Sequence, residues 1–338
     1  MNSFGTLFTV AIFGESHGPM VGITISGVPA GLPLTTNDFI TDMERRKGGT
    51  QKGTTPRKED DIPIFQSGIF NNKTTGAPLT IIFENNNTRS GDYERQREVP
   101  RPGHADFVAH KKFGGHEDFR GGGHFSGRLT ACLVGVGVVA KKILHYNSLN
   151  NTITVTATIE SICGETNLEA GLQKGIDAKD SVGGIVGCTV TGLPIGIGEP
   201  FFGSLESSLA AAVFSIPAVK GIQFGAGFSA ANMYGSQHND MLLNNNGNTA
   251  TNHAGGIVGG ITNGNNLYFN IAIKPTSSTP KQQATLNWQT NTVENFSLKG
   301  RHDLCIALRV PPVLEAVTAM VLVDAMLQMK LIPRVLVA

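Results

Sequence analysis

Arginine and histidine gather in the first half of this 338-residue chain in a pattern that suggests anion chemistry. Nine of the twelve arginines lie between Arg45 and Arg128 (Arg45, Arg46, Arg57, Arg89, Arg95, Arg97, Arg101, Arg120 and Arg128), and none falls between Arg128 and Arg301. The guanidinium suits bidentate capture of phosphate and carboxylate. Asp42, Glu44, Glu59, Asp60 and Asp61 offer part of the cluster a plainer reading, solvated surface charge. Arg101, just ahead of Pro-Gly-His, and Arg128, opening an apolar helix after "GGGHFSG", do not fit that reading. His17, His104, His110, His116 and His124 lie near glycine or arginine. His17 and His104, in glycine-bounded turns accompanied by arginines, suit acid/base work, because imidazole titrates near neutrality. No H-E-x-x-H or Cys/His set supplies metal ligands.

The stretch "GESHG" (14–18) fits G-x-S-x-G, the spacing of a hydrolase nucleophile elbow with Ser16 as nucleophile. The elbow needs a strand followed by a helix. Here "LFTVAIF" reads as a strand, but "PMVGITISGVPAG" reads as a second strand ending in a turn, which predicts a strand-to-strand bend. "RGGGHFSGR" (120–128) joins a glycine-rich loop to a helix N-terminus, where backbone N–H groups and the helix dipole attract anions. It has neither P-loop nor dinucleotide-fingerprint spacing. "KPTSS" (274–278) adds an ammonium and three hydroxyls. Together these residues predict an arginine-lined site for a small, anionic, phosphorylated molecule.

The elements that must position them alternate between strands and helices. Strands are expected near 6–13, 20–27, 62–70, 78–84, 152–162, 183–192 and 267–273, and helices near 36–47, 104–114, 126–146, 204–215 and 312–330. The helices over 126–146 and 312–330 are apolar nearly all round, as expected of helices buried between layers. Segments 235–253 and 274–300 read as polar loops. "VGITISGVPAG" (21–31) is echoed by "VGCTVTGLPIG" (186–196), and more weakly "RGGGHFSG" (120–127) by "HAGGIVGG" (253–260). The first echo favours a single domain over 1–338 built of two similar halves, roughly 1–165 and 166–338, about a pseudo-twofold.

Bulk composition excludes several classes. The net charge of +1 and the absence of a basic stripe interleaved with aromatics argue against nucleic acid. No charged-then-apolar leader and no run of 18 apolar residues appears, which predicts a soluble, cytoplasmic protein with no membrane association. Cys132, Cys163, Cys188 and Cys305 lie in apolar settings and read as buried free thiols.

Seven motifs then fall in one order: "FGESHG" (13–18), "RPGHAD" (101–106), "RGGGHFSGRLTA" (120–131), "SIPAVKG" (215–221), "NHAGGIVGG" (252–260), "KPTSS" and "GRHDLC" (300–305). This set resembles the chorismate synthases from about residue 4 to the last helix. The resemblance implies an α+β fold, a layered β-α-β sandwich with central helices between antiparallel sheets, and a homotetramer. It implies a lyase that eliminates phosphate from 5-enolpyruvylshikimate 3-phosphate with reduced FMN, although the reaction has no net redox change; NADPH is a candidate reductant. Carried over by motif, His17 would protonate the departing phosphate, His104 would protonate reduced flavin or hold its charge state, and Asp303 would assist proton removal. Arg46, Lys52, Arg101, Arg128 and Arg301 would grip the substrate. His124, Phe125, Ser126, Gln237, His238, Gly259, Gly260, Lys274, Pro275, Thr276, Ser277, Ser278 and Arg301 would bind FMN. Two departures bear on this: "RRKGGTQKG" puts Lys52 where the family has arginine, and Leu304 stands where proline is usual. A non-catalytic flavin or phosphate binder on the same scaffold is the competing class, and the presence of His17, His104 and Asp303 argues against it.

Overall fold

The computed structural model describes residues 2–49, 51–57, 59–87, 98–146, 152–298 and 302–336. The first half runs β1 (Ser3–Phe4), β2 (Thr9–Gly14), β3 (Met20–Ser26), α1 (Ile40–Arg46), β4 (Ile64–Ser67), β5 (Ile69–Phe70), β6 (Lys73–Thr74), β7 (Leu79–Glu84), α2 (Asp106–Phe113) and α3 (Thr130–Tyr146). The second runs β8 (Thr154–Ile162), α4 (Leu168–Ala178), β9 (Gly184–Thr191), α5 (Leu205–Val213), β10 (Val219–Phe224), α6 (Gly235–His238), β11 (Ile257–Val258), β12 (Ile261–Thr262), β13 (Leu267–Ile273), β14 (Gln283–Asn287), β15 (Thr292–Phe296) and α7 (Pro311–Gln328).

Two antiparallel sheets, ordered β1-β2-β3-β7-β4 and β10-β13-β9-β8, enclose the packed pair α3 and α7. Strand alternation explains the layers: in β13 Leu267, Phe269, Ile271 and Ile273 are buried while the residues between them are half-buried. Helix α3 lies against Phe83 of β7 through Gly135, and Thr318 of α7 meets the Cys188 thiol of β9. Residues Gly127–Tyr146, which are α3 with the turn before it, and α7 are long and apolar enough to cross a membrane, but 72% and 83% of their apolar windows are buried within the protein, so the fold covers them. The α+β layered architecture expected from sequence is the one observed.

The echoed segments 21–31 and 186–196 hold corresponding places. Strand β3 lies between β2 and β7, β9 lies between β13 and β8, and each leads on to a helix, α1 or α5. The weaker echo has no such match: 120–125 form a 3-10 turn, whereas 253–260 lead into the β11–β12 hairpin. Several elements were not expected, among them α4, β10 and the β14–β15 hairpin. Helix α4 is interrupted by two glycines and starts from an Asn167 cap, β10 is short, and the β14–β15 hairpin carries few apolar residues, so none has a strong periodic signal. One thiol differs as well. Cys163 is exposed at a turn with φ of 50°, outside the apolar layer its neighbours suggested.

Two buried carboxylates tie the helix layer to the segments that carry chemistry. Asp324 of α7 accepts from the backbone N–H groups of Thr6, Leu7 and Phe8, which sets the entry into β2. Glu315, also on α7 and buried, takes both arms of Arg45 at 2.7 Å, Lys141 at 3.2 Å and the N–H of Ala157 at 3.0 Å. It therefore joins α1, α3, α7 and β8, and fixes the residue next to Arg46. Glu315→Gln keeps the shape but removes the charge that both cations face. It is expected to lower stability by about 1–3 kcal/mol, read from the denaturant midpoint; an unchanged midpoint contradicts this role.

Candidate active site

A cleft of about 770 Å³ opens on one side of the α3–α7 pair, and Arg46, Arg57, Arg101, Arg128 and Arg309 line it. Burying guanidiniums side by side is unfavourable unless anions stand between them. Asp61 bridges Arg46 and Arg128, and all three are buried. Burial alone would raise the Asp61 carboxyl, but the two arginines overcome it and hold it below the ordinary range. Arg128 is oriented further by Asn85 Oδ1 at 2.8 Å and Glu84 O at 3.0 Å. Glu59 and Asp61, which read as surface charge in the sequence, are 8% and 3% exposed and face inward as partners of these arginines.

The "GESHG" stretch is the bend between β2 and β3, in register at Gly14 and Val21. No helix follows it, so the elbow geometry is absent. Ser16 is buried, and its Oγ accepts from Arg57 Nη1 at 3.1 Å. The glycine run of 120–128 meets this bend: Ser16 N–H donates to Gly123 O, and His124 Nδ1 lies 2.9 Å from Gly14 O. Gly121 and Gly122, both with positive φ, carry the backbone between two imidazoles. A Cβ at 121 would stand 2.5 Å from His17 Nε2, and one at 122 would stand 3.2 Å from His104 Cε1. Only residues without a side chain let the cleft wall pass this close to both rings.

His17 is buried behind Gly121 rather than on the cleft lining itself. Burial first, then the charges of Arg57 and Arg120, lower its pKa, against smaller opposing effects of Asp118 and Glu59. His104 lines the cleft, with Nδ1 2.6 Å from Asp106 Oδ1. Asp106 in turn takes Arg101 Nε and Nη2 at 2.7 and 2.8 Å, and Arg101 Nη1 reaches Ser278 Oγ at 3.2 Å. With Nδ1–H donated to the carboxylate, Nε2 is the nitrogen left for chemistry. Burial lowers the His104 pKa; the Asp106 hydrogen bond opposes this, while Arg101 adds to it. Both imidazoles are thus kept neutral near pH 7, and an anion entering the cleft raises their proton affinity.

The second half supplies the opposite wall. Asp303 lines the cleft, accepting from Thr55 N–H at 2.8 Å and Arg309 Nη1 at 3.0 Å. Leu304 donates its N–H to Gly53 O at 2.9 Å, a bond proline could not make, so this departure ties the Asp303 loop to residues 53–55. Lys274, Thr276, Ser277 and Ser278 line the same cleft, with Lys274 Nζ 2.7 Å from Ser277 Oγ. His124, Phe125 and Ser126 complete it from the glycine-rich side.

Other expected site residues lie elsewhere. Lys52 is exposed and points to Gln173 on α4 at 3.5 Å, because the 51–54 turn leans on that helix rather than over the cleft. Pro275, Gln237, His238, Gly259 and Gly260 are not on the cleft lining; Gln237 and His238 form α6 on the exposed surface. Arg301, together with Arg89, Arg95 and Arg97, lies outside the described residues. Arg57, Glu59 and Asp61 were given no site role from sequence, where only the clustering of charge marked them, and Arg309, outside that cluster, carried no signal.

A family model described as chorismate synthase matches residues 8–327. The chorismate synthase of Chitinophaga pinensis is 67% identical over 327 residues, covering 97% of each chain. The chorismate synthases of Dehalococcoides mccartyi and Methanocaldococcus jannaschii are 43% and 40% identical, covering 99% and 97% of each chain. A solved structure titled "Crystal Structure of Chorismate Synthase" superposes with a TM-score of 0.72 over 96% of this chain and 93% of its own, at 23% identity, and so shares the fold.

The Asp106 pKa sits well below its ordinary value because the Arg101 and His104 hydrogen bonds outweigh burial. A depressed carboxyl contributes stability in full above the unfolded pKa of about 4, and loses it as pH falls through that value toward the folded one. The gap in Tm between the wild type and Asp106→Asn is therefore expected to be widest near pH 6 and to narrow below about pH 4. A gap that stays constant down to about pH 2 contradicts this assignment.

Proposed function

The chain belongs to the chorismate synthase family, and on that premise we propose that it forms chorismate by 1,4-elimination of phosphate from 5-enolpyruvylshikimate 3-phosphate, in the shikimate pathway of aromatic biosynthesis. The observation that carries this reading is the convergence of Arg46, Arg101 and Arg128 with two histidines around one glycine turn. The substrate carries a phosphate and two carboxylates, so it needs several fixed cations, and guanidiniums held by carboxylates supply them without reorganisation. Arg46, Arg101 and Arg128 grip these groups, and Arg301 is proposed to join them. As phosphate leaves, negative charge grows on it; the arginines neutralise that charge and His17 supplies a proton. The substrate's negative charge raises the proton affinity of this imidazole, so that it takes up the proton it then gives to the departing phosphate. His104, oriented by Asp106, presents Nε2 on the cleft side, where it takes up a proton when bound anions raise its proton affinity. Asp303 uses two acceptor positions on Thr55 and Arg309, and a carboxylate has about four, so it remains able to assist proton removal.

The residues also fit a flavin phosphate. Two buried polar atoms on the cleft wall, Arg46 Nε and Thr276 Oγ1, have no hydrogen-bond partner among the described residues. His124, Phe125, Ser126, Lys274, Thr276, Ser277 and Ser278 would hold reduced FMN, with Arg301 beside them. When bound, reduced FMN supplies electron density for a cleavage that has no net redox change. We assign flavin reduction to NADPH or an outside reductase, and the enzyme to the cytoplasm. Gln237, His238 and Gly260 belong to a stretch whose Phe201, Phe202, Phe228 and Tyr234 are 78–100% exposed. Apolar side chains left in water on this scale support self-association. We therefore propose a homotetramer that covers this surface, with these three residues reaching the cofactor only in the assembly.

The test is an anaerobic assay of chorismate formation from 5-enolpyruvylshikimate 3-phosphate with dithionite-reduced FMN. Activity that needs reduced FMN is expected, and its absence in folded protein overturns the proposal. His17→Ala and His104→Ala are each expected to lower turnover by roughly 10²–10⁴-fold, while Ser16→Ala costs far less. Near-normal turnover in either histidine variant removes that assignment. A dead Ser16→Ala that still binds both ligands would return the serine to consideration as nucleophile.

A further inference from the structure

Arg57 has no part in the assignments above, yet it connects the cleft to the bend that carries His17. Its Nη1 donates to Ser16 Oγ at 3.1 Å and its Nη2 to Ser16 O at 3.2 Å. The same guanidinium is held from its other edge, with Nε and Nη2 donating to Glu59 Oε1 at 2.9 and 2.7 Å. Glu59 is itself fixed: it is buried, and Oε2 accepts from the N–H groups of Asn86 and Asn87 at 2.9 and 3.2 Å. Asn85, next in the same strand end, donates to Glu15 O and Gly18 O at 3.0 and 2.8 Å. The bend is thus gripped at three points of its backbone frame, Glu15, Ser16 and Gly18, and Arg57 is the grip that also lines the cleft. Four of the five guanidinium N–H groups are spent on Ser16 and Glu59. A side chain so committed acts by holding protein groups rather than by wrapping a ligand.

We propose that Arg57, clamped by Glu59, is a positioning residue for the elimination: it fixes the His17-bearing bend against the cleft wall and places a permanent positive charge beside the imidazole. This rests on His17 being the acid. Four charged groups face His17, namely Arg57 and Arg120 as cations and Asp118 and Glu59 as anions. Removal of Arg57 tips that balance toward the carboxylates, so the imidazole gains proton affinity. An ammonium at this position would preserve the charge but not the fork, since lysine cannot reach Ser16 Oγ, Ser16 O and Glu59 in one plane. Charge and geometry can therefore be separated by two substitutions.

The experiment follows the His17 ring by NMR in the ¹³C-histidine-labelled full-length protein, with His17→Gln for assignment, alongside anaerobic kinetics with saturating reduced FMN. In Arg57→Gln the His17 titration is expected to move to higher pH and kcat to fall by up to roughly 10²-fold, the scale of a misplaced reacting group. In Arg57→Lys the titration is expected to stay near that of the wild type while kcat still falls, with KM for the substrate changing less than kcat. An unmoved His17 titration in Arg57→Gln overturns the proposal and leaves His17's own role standing. A moved titration with wild-type kcat in both variants overturns it through its premise, because the imidazole would then not limit the reaction. Wild-type kcat in Arg57→Lys alone overturns the geometric half. If Arg57→Gln fails to fold, the proposal stands or falls on kcat in Arg57→Lys.

Discussion

Two guanidiniums cannot be buried side by side without an anion between them, and the cleft is organised around that constraint. Asp61 is the shared counter-ion of Arg46, from the end of α1, and Arg128, from the turn before α3. The same arrangement recurs around the cleft, with Glu59 on Arg57, Asp106 on Arg101 and Asp303 on Arg309. Five guanidiniums set against four carboxylates leave a site that stays positive yet is not torn apart by its own charge. Each carboxylate also aims a planar fork, so that what a ligand meets is a fixed set of donors. A multiply charged substrate then completes the neutralisation that the protein leaves unfinished.

The layers of the fold matter to function through the places where they hold these charges. Glu315 fixes Arg45 and with it the turn that ends in Arg46. Asp324 fixes the entry to β2, whose far end is the His17 bend. Asn85, at the end of β7, joins that bend to Arg128. The glycine turn passes between the two imidazoles and joins them to the same wall. Acid/base groups and anion-binding groups are thus parts of one hydrogen-bonded frame, which gives a physical reason for expecting substrate charge to raise the proton affinity of His17 and His104 when the substrate arrives.

Much of this was legible in the chain. The apolar alternation of β13, the unbroken apolar character of α3 and α7, and the turn residues around 14–18 each encode a local geometry that the structure repeats. Arg101, Arg128, His104 and the hydroxyls of 274–278 stood out by type and company, and they do meet in one cleft. What sequence could not express was pairing across long separations. Asp61 sits among Glu59 and Asp60 and reads as solvated charge until Arg128, 67 positions away, is seen beside it. Lys52 is the reverse case: a basic neighbour of Arg46 in sequence, turned toward Gln173 by the local turn. Gln237 and His238 carry no local signal of where they act, because they lie on a surface of the single chain rather than on its cleft.

The central claim is that Asp61 sets the arginine geometry on which turnover depends. It is tested most directly by Asp61→Asn, which preserves shape and removes the shared charge. Steady-state kinetics at pH 7 with saturating reduced FMN, on protein shown by circular dichroism to be folded, should give kcat/KM lowered by at least roughly 10²-fold, the scale of misplaced binding groups. Asp61→Glu should recover part of that loss. A folded Asp61→Asn enzyme with wild-type kcat/KM would contradict the account.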